Sequence, residues 1–160
     1  MSAFLGVDPG LEGGWAIYWP ATNMLVAGDI PTSGDGSRRR VEGSLFANVL
    51  RAHEDLTAAG IELVGPGPHG GRASMFRFGA AYGSILGVVS ALGLPFTLIT
   101  PQSWKKRFRV PAGADKEHSR QLALAMWPAH ASLFARKRDH GRAEAALLGK
   151  FCSELHGGTS

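Results

Sequence analysis

Hydrophobic and polar positions follow two rhythms along the chain. Short apolar runs, bounded by Gly, Pro, Asn or Asp, fall at residues 4–7, 15–19, 24–30, 61–64 and 95–100. Runs of that length between such breakers predict strands. The first three follow one another through short glycine- or turn-rich links, so they predict an antiparallel meander. Longer segments carry apolar residues at helical spacing. Val41, Leu45, Val49 and Ala52 mark a helix over 41–54. A long helix over 74–93 presents Met75, Phe78, Tyr82, Ile85, Leu86, Val89 and Leu92. Further helices are predicted over 115–127, capped by Asp115, and from Asp139 and His140 onward. Residues 31–40 read as a loop, 101–110 as a charged helical turn, and 128–134 as a short apolar piece after Pro128.

Two details of this pattern stand out. Ala58-Ala59-Gly60, just before the run at 61–64, are poor strand formers. Within the long helix, Gly79, Gly83 and Gly87 recur every four residues along one side. Each costs about 1 kcal/mol of helix stability against Ala. Close approach of another backbone is the natural compensation, either inside the domain or across a dimer.

Acidic residues stand where the predicted elements end. Asp8 closes the first apolar run, before Pro9-Gly10, and Glu62 lies in the fourth, before the breaker-rich stretch 65–72. Glu144 follows His140 by one helical turn at the start of the last helix, so the two share a face. Each has an ordinary explanation: Asp-Pro-Gly is common turn chemistry, and acids favour helix N-termini. Yet an unpartnered buried charge is costly, and three acids on three elements point to a bound cation. Hard divalent ions such as Mg2+ take oxygen ligands and need only a few carboxylates. Two such ions about 4 Å apart can activate water and stabilise a leaving oxygen in phosphodiester cleavage.

Charge supplies the matching half. The net charge is +4, and the cations cluster. Arg38-Arg39-Arg40, Arg72, Lys105-Lys106-Arg107 with Arg109, Lys116, and Arg136-Lys137-Arg138 are candidate DNA contacts. Trp104 and Phe108 interleave the third group; they suit either stacking on bases or packing in the core. The single cysteine, Cys152, excludes an intrachain disulfide and fits a reducing cytoplasm. No apolar run of membrane-spanning length or leader pattern is present, and Arg77 interrupts the long helix. The length predicts one domain over 1–154, with 155–160 as a flexible tail.

The ordered set of motifs resembles a known family. LGVDPG at 5–10, IELV at 61–64, SMFRFG at 74–79, TPQSWKK at 100–106, ADKEHSR at 114–120 and KRDHGRAEAALL at 137–148 are similar to the RuvC Holliday junction resolvases, especially compact phage and prophage relatives. The resemblance covers residues 4 to about 151. It implies an α/β, RNase H-like fold: a five-stranded mixed sheet, antiparallel meander plus two parallel strands, flanked by helices. It implies a Mg2+-dependent endonuclease of four-way junctions, with two ions per site, Mn2+ as a substitute, a homodimer, and a bacterial or phage-infected cytoplasm.

Carried over by motif, Asp8, Glu62 and Glu144 correspond to metal ligands. Asp139 and His140 compete for one more ligand position, Asp139 by residue type and His140 by geometry, because Gly141 occupies the usual place. Lys105 and Lys116 match two lysines beside the scissile phosphate. The family's aromatic wedge, three residues past its strand-four acid, falls here on Gly65; Phe76 and His69 are candidates to replace it.

Rival readings remain distinct in kind. Flaps or forks are alternative substrates for the same chemistry. A non-cleaving junction binder gains nothing from carboxylates beside phosphate. An actin-like ATPase, suggested by GVDPG alone, needs a second domain for which 160 residues leave no room.

Overall fold

The computed structural model describes residues 1–66 and 70–157. Among these residues seven strands form: β1 (Ala3–Asp8), β2 (Gly14–Trp19), β3 (Met24–Asp29), β4 (Thr32–Ser33), β5 (Arg40–Val41), β6 (Leu56–Glu62) and β7 (Phe96–Ile99). Five α-helices accompany them: α1 (Gly43–Arg51), α2 (Arg72–Ala91), α3 (Pro101–Arg107), α4 (Lys116–Met126) and α5 (His140–Gly157). The main sheet has the order β3-β2-β1-β6-β7. β1, β2 and β3 pair antiparallel, and β6 and β7 add on in parallel. This is the expected mixed sheet.

β1 lies at the centre of the sheet, which explains its unbroken apolar run: both faces are covered. Alternate residues feed two cores. Phe4 packs on the face that holds Trp104, Ala123, Leu147 and Leu148 of α3, α4 and α5. Leu5 and Val7 pack on the other face, with Phe46 of α1 and Ala81, Ile85 and Val89 of α2.

Several boundaries differ from the sequence reading. The fourth strand of the main sheet begins at Leu56, not at 61, and ends at Glu62. Packing overrides strand propensity there. A Cβ at Gly60 would lie 2.6 Å from Ile99 Cδ1 and 3.0 Å from Cys152 Cβ, so small residues are demanded by the neighbours. The expected loop 31–40 contains a small ribbon, β4 paired with β5, and a 3-10 turn. Helix α1 is shorter than predicted, because residues 52–54 already turn toward β6. Helix α5 runs on through Gly157, so residues 155–157 continue it instead of beginning a tail; residues 158–160 lie outside the described part. No described helix is long and apolar enough to cross a membrane.

Among the described residues the glycines of α2 have no close neighbour. A Cβ at Gly79, Gly83 or Gly87 meets nothing within 4 Å. Packing of that side inside the domain is therefore overturned as their explanation. Ala81, Ile85 and Val89 form the buried side instead.

Candidate active site

The site is assembled at the carboxyl edge of the parallel strands, where α/β sheets bind ligands. In the β1–β6 register Val7 lies opposite Ile61. Asp8 and Glu62 are the next residues of their strands, so the register sets the two acids side by side. Helix α5 brings the third. A Cβ at Gly6 would fall 1.9 Å from the Ala145 carbonyl oxygen; only glycine lets the helix backbone lie directly on β1. Glu144, adjacent to Ala145, is thereby held over Asp8.

Asp8, Glu62, Glu144, Lys105 and Lys116 line one cavity of about 570 Å3. Asp8 is driven well above the usual carboxylate range, first by burial, then by Glu144 and Glu62, with Lys116 opposing. Glu144 is raised too, by burial and by Glu62, against Lys116 and Lys105. Burial also raises Glu62, while a hydrogen bond from Trp104 and the charges of Lys105 and Lys116 pull the other way. Three acids raised by burial and, for Asp8 and Glu144, by one another stand against two lysines, and a bound cation would relieve that repulsion.

Trp104 resolves the question about its role. It is fully buried, so it does not stack on a ligand. Its indole N–H donates to Glu62 Oε2 at 2.7 Å and fixes that carboxylate. Thr100 caps α3 by accepting from the Ser103 N–H, which places Trp104 and Lys105 together. Asp115 caps α4 by accepting from the His118 N–H, immediately before Lys116. Phe108 is also a core residue.

Asp139 does not line the cavity. It is 1% exposed, and both oxygens are engaged by Arg136. Oδ2 accepts from the Arg136 backbone N–H at 2.8 Å, and Oδ1 from the guanidinium at 2.6 and 2.9 Å. Burial raises its pKa, but these bonds outweigh it and leave the carboxyl below the ordinary range. It pins the entry of α5. His140 is half-buried beside Lys116, Asp139 and Glu12. Burial, then Lys116, lowers its pKa, which favours the neutral, metal-ligating imidazole. Its Nδ1 is shielded and has no hydrogen-bond partner among the described residues.

The basic clusters divide in two. Arg39 is ion-paired with Glu12 and donates to Leu11 O at 3.0 Å and Thr32 Oγ1 at 3.2 Å, tying down the β1–β2 turn. Arg107 grips Glu154 through bonds of 2.8 and 2.9 Å. Arg136 serves Asp139 and lies 3.7 Å from Asp29. These three are structural before they are DNA contacts. Arg38, Arg40, Arg72, Lys106, Arg109, Lys137 and Arg138 are exposed and form no salt bridge among the described residues. Phe76 is 78% exposed and Gly65 is open; His69 lies outside the described residues. The sequence reading missed Ser74 and Arg77, which line the cavity from α2. Their helical spacing, one turn apart, was the available signal.

No protein-family model matches the chain, and no curated protein matches it. Solved structures do. Thermus thermophilus RuvC in complex with Holliday junction substrate superposes with a TM-score of 0.66 at 18% identity, covering 97% of this chain and 96% of that one. The fold is RuvC-like. A second Thermus thermophilus RuvC structure gives a TM-score of 0.58 at 16% identity, with 96% of each chain covered. At these identities the likeness establishes the fold, and in this RuvC-like fold the three acids occupy the sheet edge described above.

The cavity's donor set fits a hard divalent cation in kind, carboxylate oxygens with room for water, while His140 does not line the cavity. Among the described residues no group of three His, Cys, Asp or Glu side chains stands close enough together to hold a metal ion. Asp8 and Glu144 touch, while Glu62 acts on both through space.

Proposed function

We propose that the chain is a divalent-metal-dependent endonuclease that hydrolyses phosphodiester bonds in four-way DNA junctions, acting as a homodimer. The observation that carries this reading is the convergence of Asp8, Glu62 and Glu144 with Lys105 and Lys116 in one cavity. Fold likeness over nearly the whole chain, to a protein solved with Holliday junction substrate, supports it.

In this reading Asp8, Glu62 and Glu144 hold Mg2+, two ions per site, and His140 is the remaining donor. Bound Mg2+ supplies Lewis acidity toward the phosphate and lowers the pKa of water. The chain's own groups do the rest. Trp104 keeps the Glu62 carboxylate oriented, and Lys105 and Lys116 contact the phosphate and offset its developing charge. The exposed cations of 38–40, 106–109 and 137–138 recruit the DNA arms.

The dimer surface is the outer side of α2. Its three glycines face open space, and Met75 and Phe76 are exposed beside them. Phe96 and Leu98 on the edge strand β7 add more exposed apolar area. A twofold dimer would present two sites to a twofold junction.

The test is a panel of end-labelled substrates: a four-way junction, a flap, a fork and a linear duplex, each with and without Mg2+. Symmetric nicks in the junction, only with Mg2+, are expected. Cleavage of flaps or forks in preference to the junction would reassign the substrate, and no cleavage of any branched DNA would refute the enzyme reading.

A further inference from the structure

The first turn of α5 crosses the sheet along one row of residues. Asp8, Gly14 and Asp29 are register partners on β1, β2 and β3. Gly14 stands between the two acids without a side chain. A Cβ there would lie 2.7 Å from both the Arg142 nitrogen and the Gly141 carbonyl carbon. Gly141 matches it from the helix: its own Cβ would lie 2.9 Å from the Gly13 carbonyl carbon. The helix backbone therefore rests on the bare middle of the row. On one flank Arg142 reaches Asp29, its Nε donating to Oδ1 at 2.8 Å. On the other flank Glu144 enters the cavity that Asp8 lines.

A contact between glycines sets how near two elements come. It supplies no ridge and groove to fix the rotation of the helix about its axis. Successive α-helical residues turn by about 100°, so Arg142 and Glu144 leave α5 on opposite sides. A rotation that draws Arg142 away from Asp29 therefore moves Glu144 relative to Asp8. Arg142 is held from two further directions: Nη1 donates to Leu133 O at 3.4 Å, and Nε lies 3.8 Å from Asp139 Oδ1. The Arg142 side chain is 20% exposed and that of Asp29 is 60% exposed. A pair with one partner so open to water adds little to stability, which leaves orientation as its effect.

We propose that Asp29 and Arg142 are positioning residues: their ion pair sets the rotation of α5 and so holds Glu144 toward Asp8. Neither of the two lines the cavity. The functional consequence rests on the nuclease reading, in which Glu144 is a metal ligand. Removing a side chain that orients a ligand changes metal affinity by roughly 10- to 100-fold.

The test reads orientation and metal binding separately, in the full-length chain. Asp29→Asn, Arg142→Gln and the double variant are compared with the wild type. Without metal, the nuclear Overhauser contact between the Gly14 Hα and the amide hydrogen of position 142 should be strong in the wild type. It should weaken in all three variants, while Tm in EDTA stays close to that of the wild type. With Mn2+ alone as the probe, calorimetric titration should show affinity lowered about tenfold in each single variant. The double variant should bind no more weakly than the singles, because either substitution already breaks the pair. An unchanged Overhauser contact, or wild-type Mn2+ affinity in both single variants, overturns the positioning role. A lowered Tm with unchanged Mn2+ affinity would make the pair merely structural and overturns it too. A wild type that binds no Mn2+, with the contact weakened in the variants, sinks the cation reading and leaves the placement of Glu144 standing.

Discussion

The carboxyl groups of Asp8 and Glu144 meet in one cavity, although they come from opposite ends of the chain. The contact exists because Gly6 lets the backbone of α5 rest on β1. Two acids forced together, with Glu62 nearby, make the site a place of stored electrostatic tension.

That tension has a sign. Burial and the neighbouring acids raise Asp8 and Glu144 above their unfolded values of about 3.8 and 4.5. The stability they allow is therefore fully present below the unfolded values and is lost as pH rises through the folded ones. Without divalent ions, the melting temperature should fall as pH climbs from the ordinary carboxylate range toward neutrality. Asp8→Asn should flatten this fall and raise Tm near neutral pH, by roughly 3 °C for each kcal/mol of repulsion relieved. Mg2+ should raise the wild-type Tm more than that of the variant. Thermal melts across pH, with and without Mg2+, check both.

Asp139 carries the opposite sign. After burial, its bonds to Arg136 dominate and hold its pKa below the ordinary range. Its contribution is present above the unfolded value and is lost as pH falls through the folded one. Asp139→Asn should cost about 2 kcal/mol in urea unfolding at neutral pH. Junction cleavage by the folded fraction should persist. A folded but inactive variant would return Asp139 to the catalytic set.

The division of the basic residues predicts a graded salt response. Log affinity for a junction should fall steeply against log salt. Neutralising Lys106 or Arg138 should each reduce the slope by about 1. Arg107→Gln should change the slope less and lower stability, because Arg107 is held by Glu154. Filter binding over a salt series separates the two classes.

The open glycines of α2 predict an interface. A Cβ at Gly83 meets nothing within 4 Å among the described residues, and Leu is the better helix former. The isolated fold should therefore be preserved or stabilised while sedimentation equilibrium shifts from dimer to monomer. A wild-type chain that sediments as a monomer at working concentration contradicts the proposed face.

Much of this architecture was legible in the chain. The meander and Asp8 could be read because β1 is central, and its apolar run ends where the sheet ends. The start of β6 could not, since Gly60 is fitted against Ile99 and α5 and Ala58 and Ala59 are buried in the cores on the two faces of the sheet, not chosen for strand propensity. Asp139 and His140 were not separable by sequence. What distinguishes them is that Arg136 folds back on Asp139, a tertiary choice that residue type does not encode. Trp104 read equally well as a stacking or a core residue; only the packed structure shows its indole held against Glu62. Arg77 was hidden in a helix whose apolar character dominated the reading.

The central claim is that Asp8, Glu62 and Glu144 work as one cation-holding site for strand cleavage. Its most direct test is Asp8→Asn on a labelled four-way junction in Mg2+, with cleavage and binding measured on the same preparation. The expected result is loss of cleavage by at least about a thousandfold, with junction affinity within a few-fold of wild type. Cleavage at the wild-type rate by the folded variant would contradict the account.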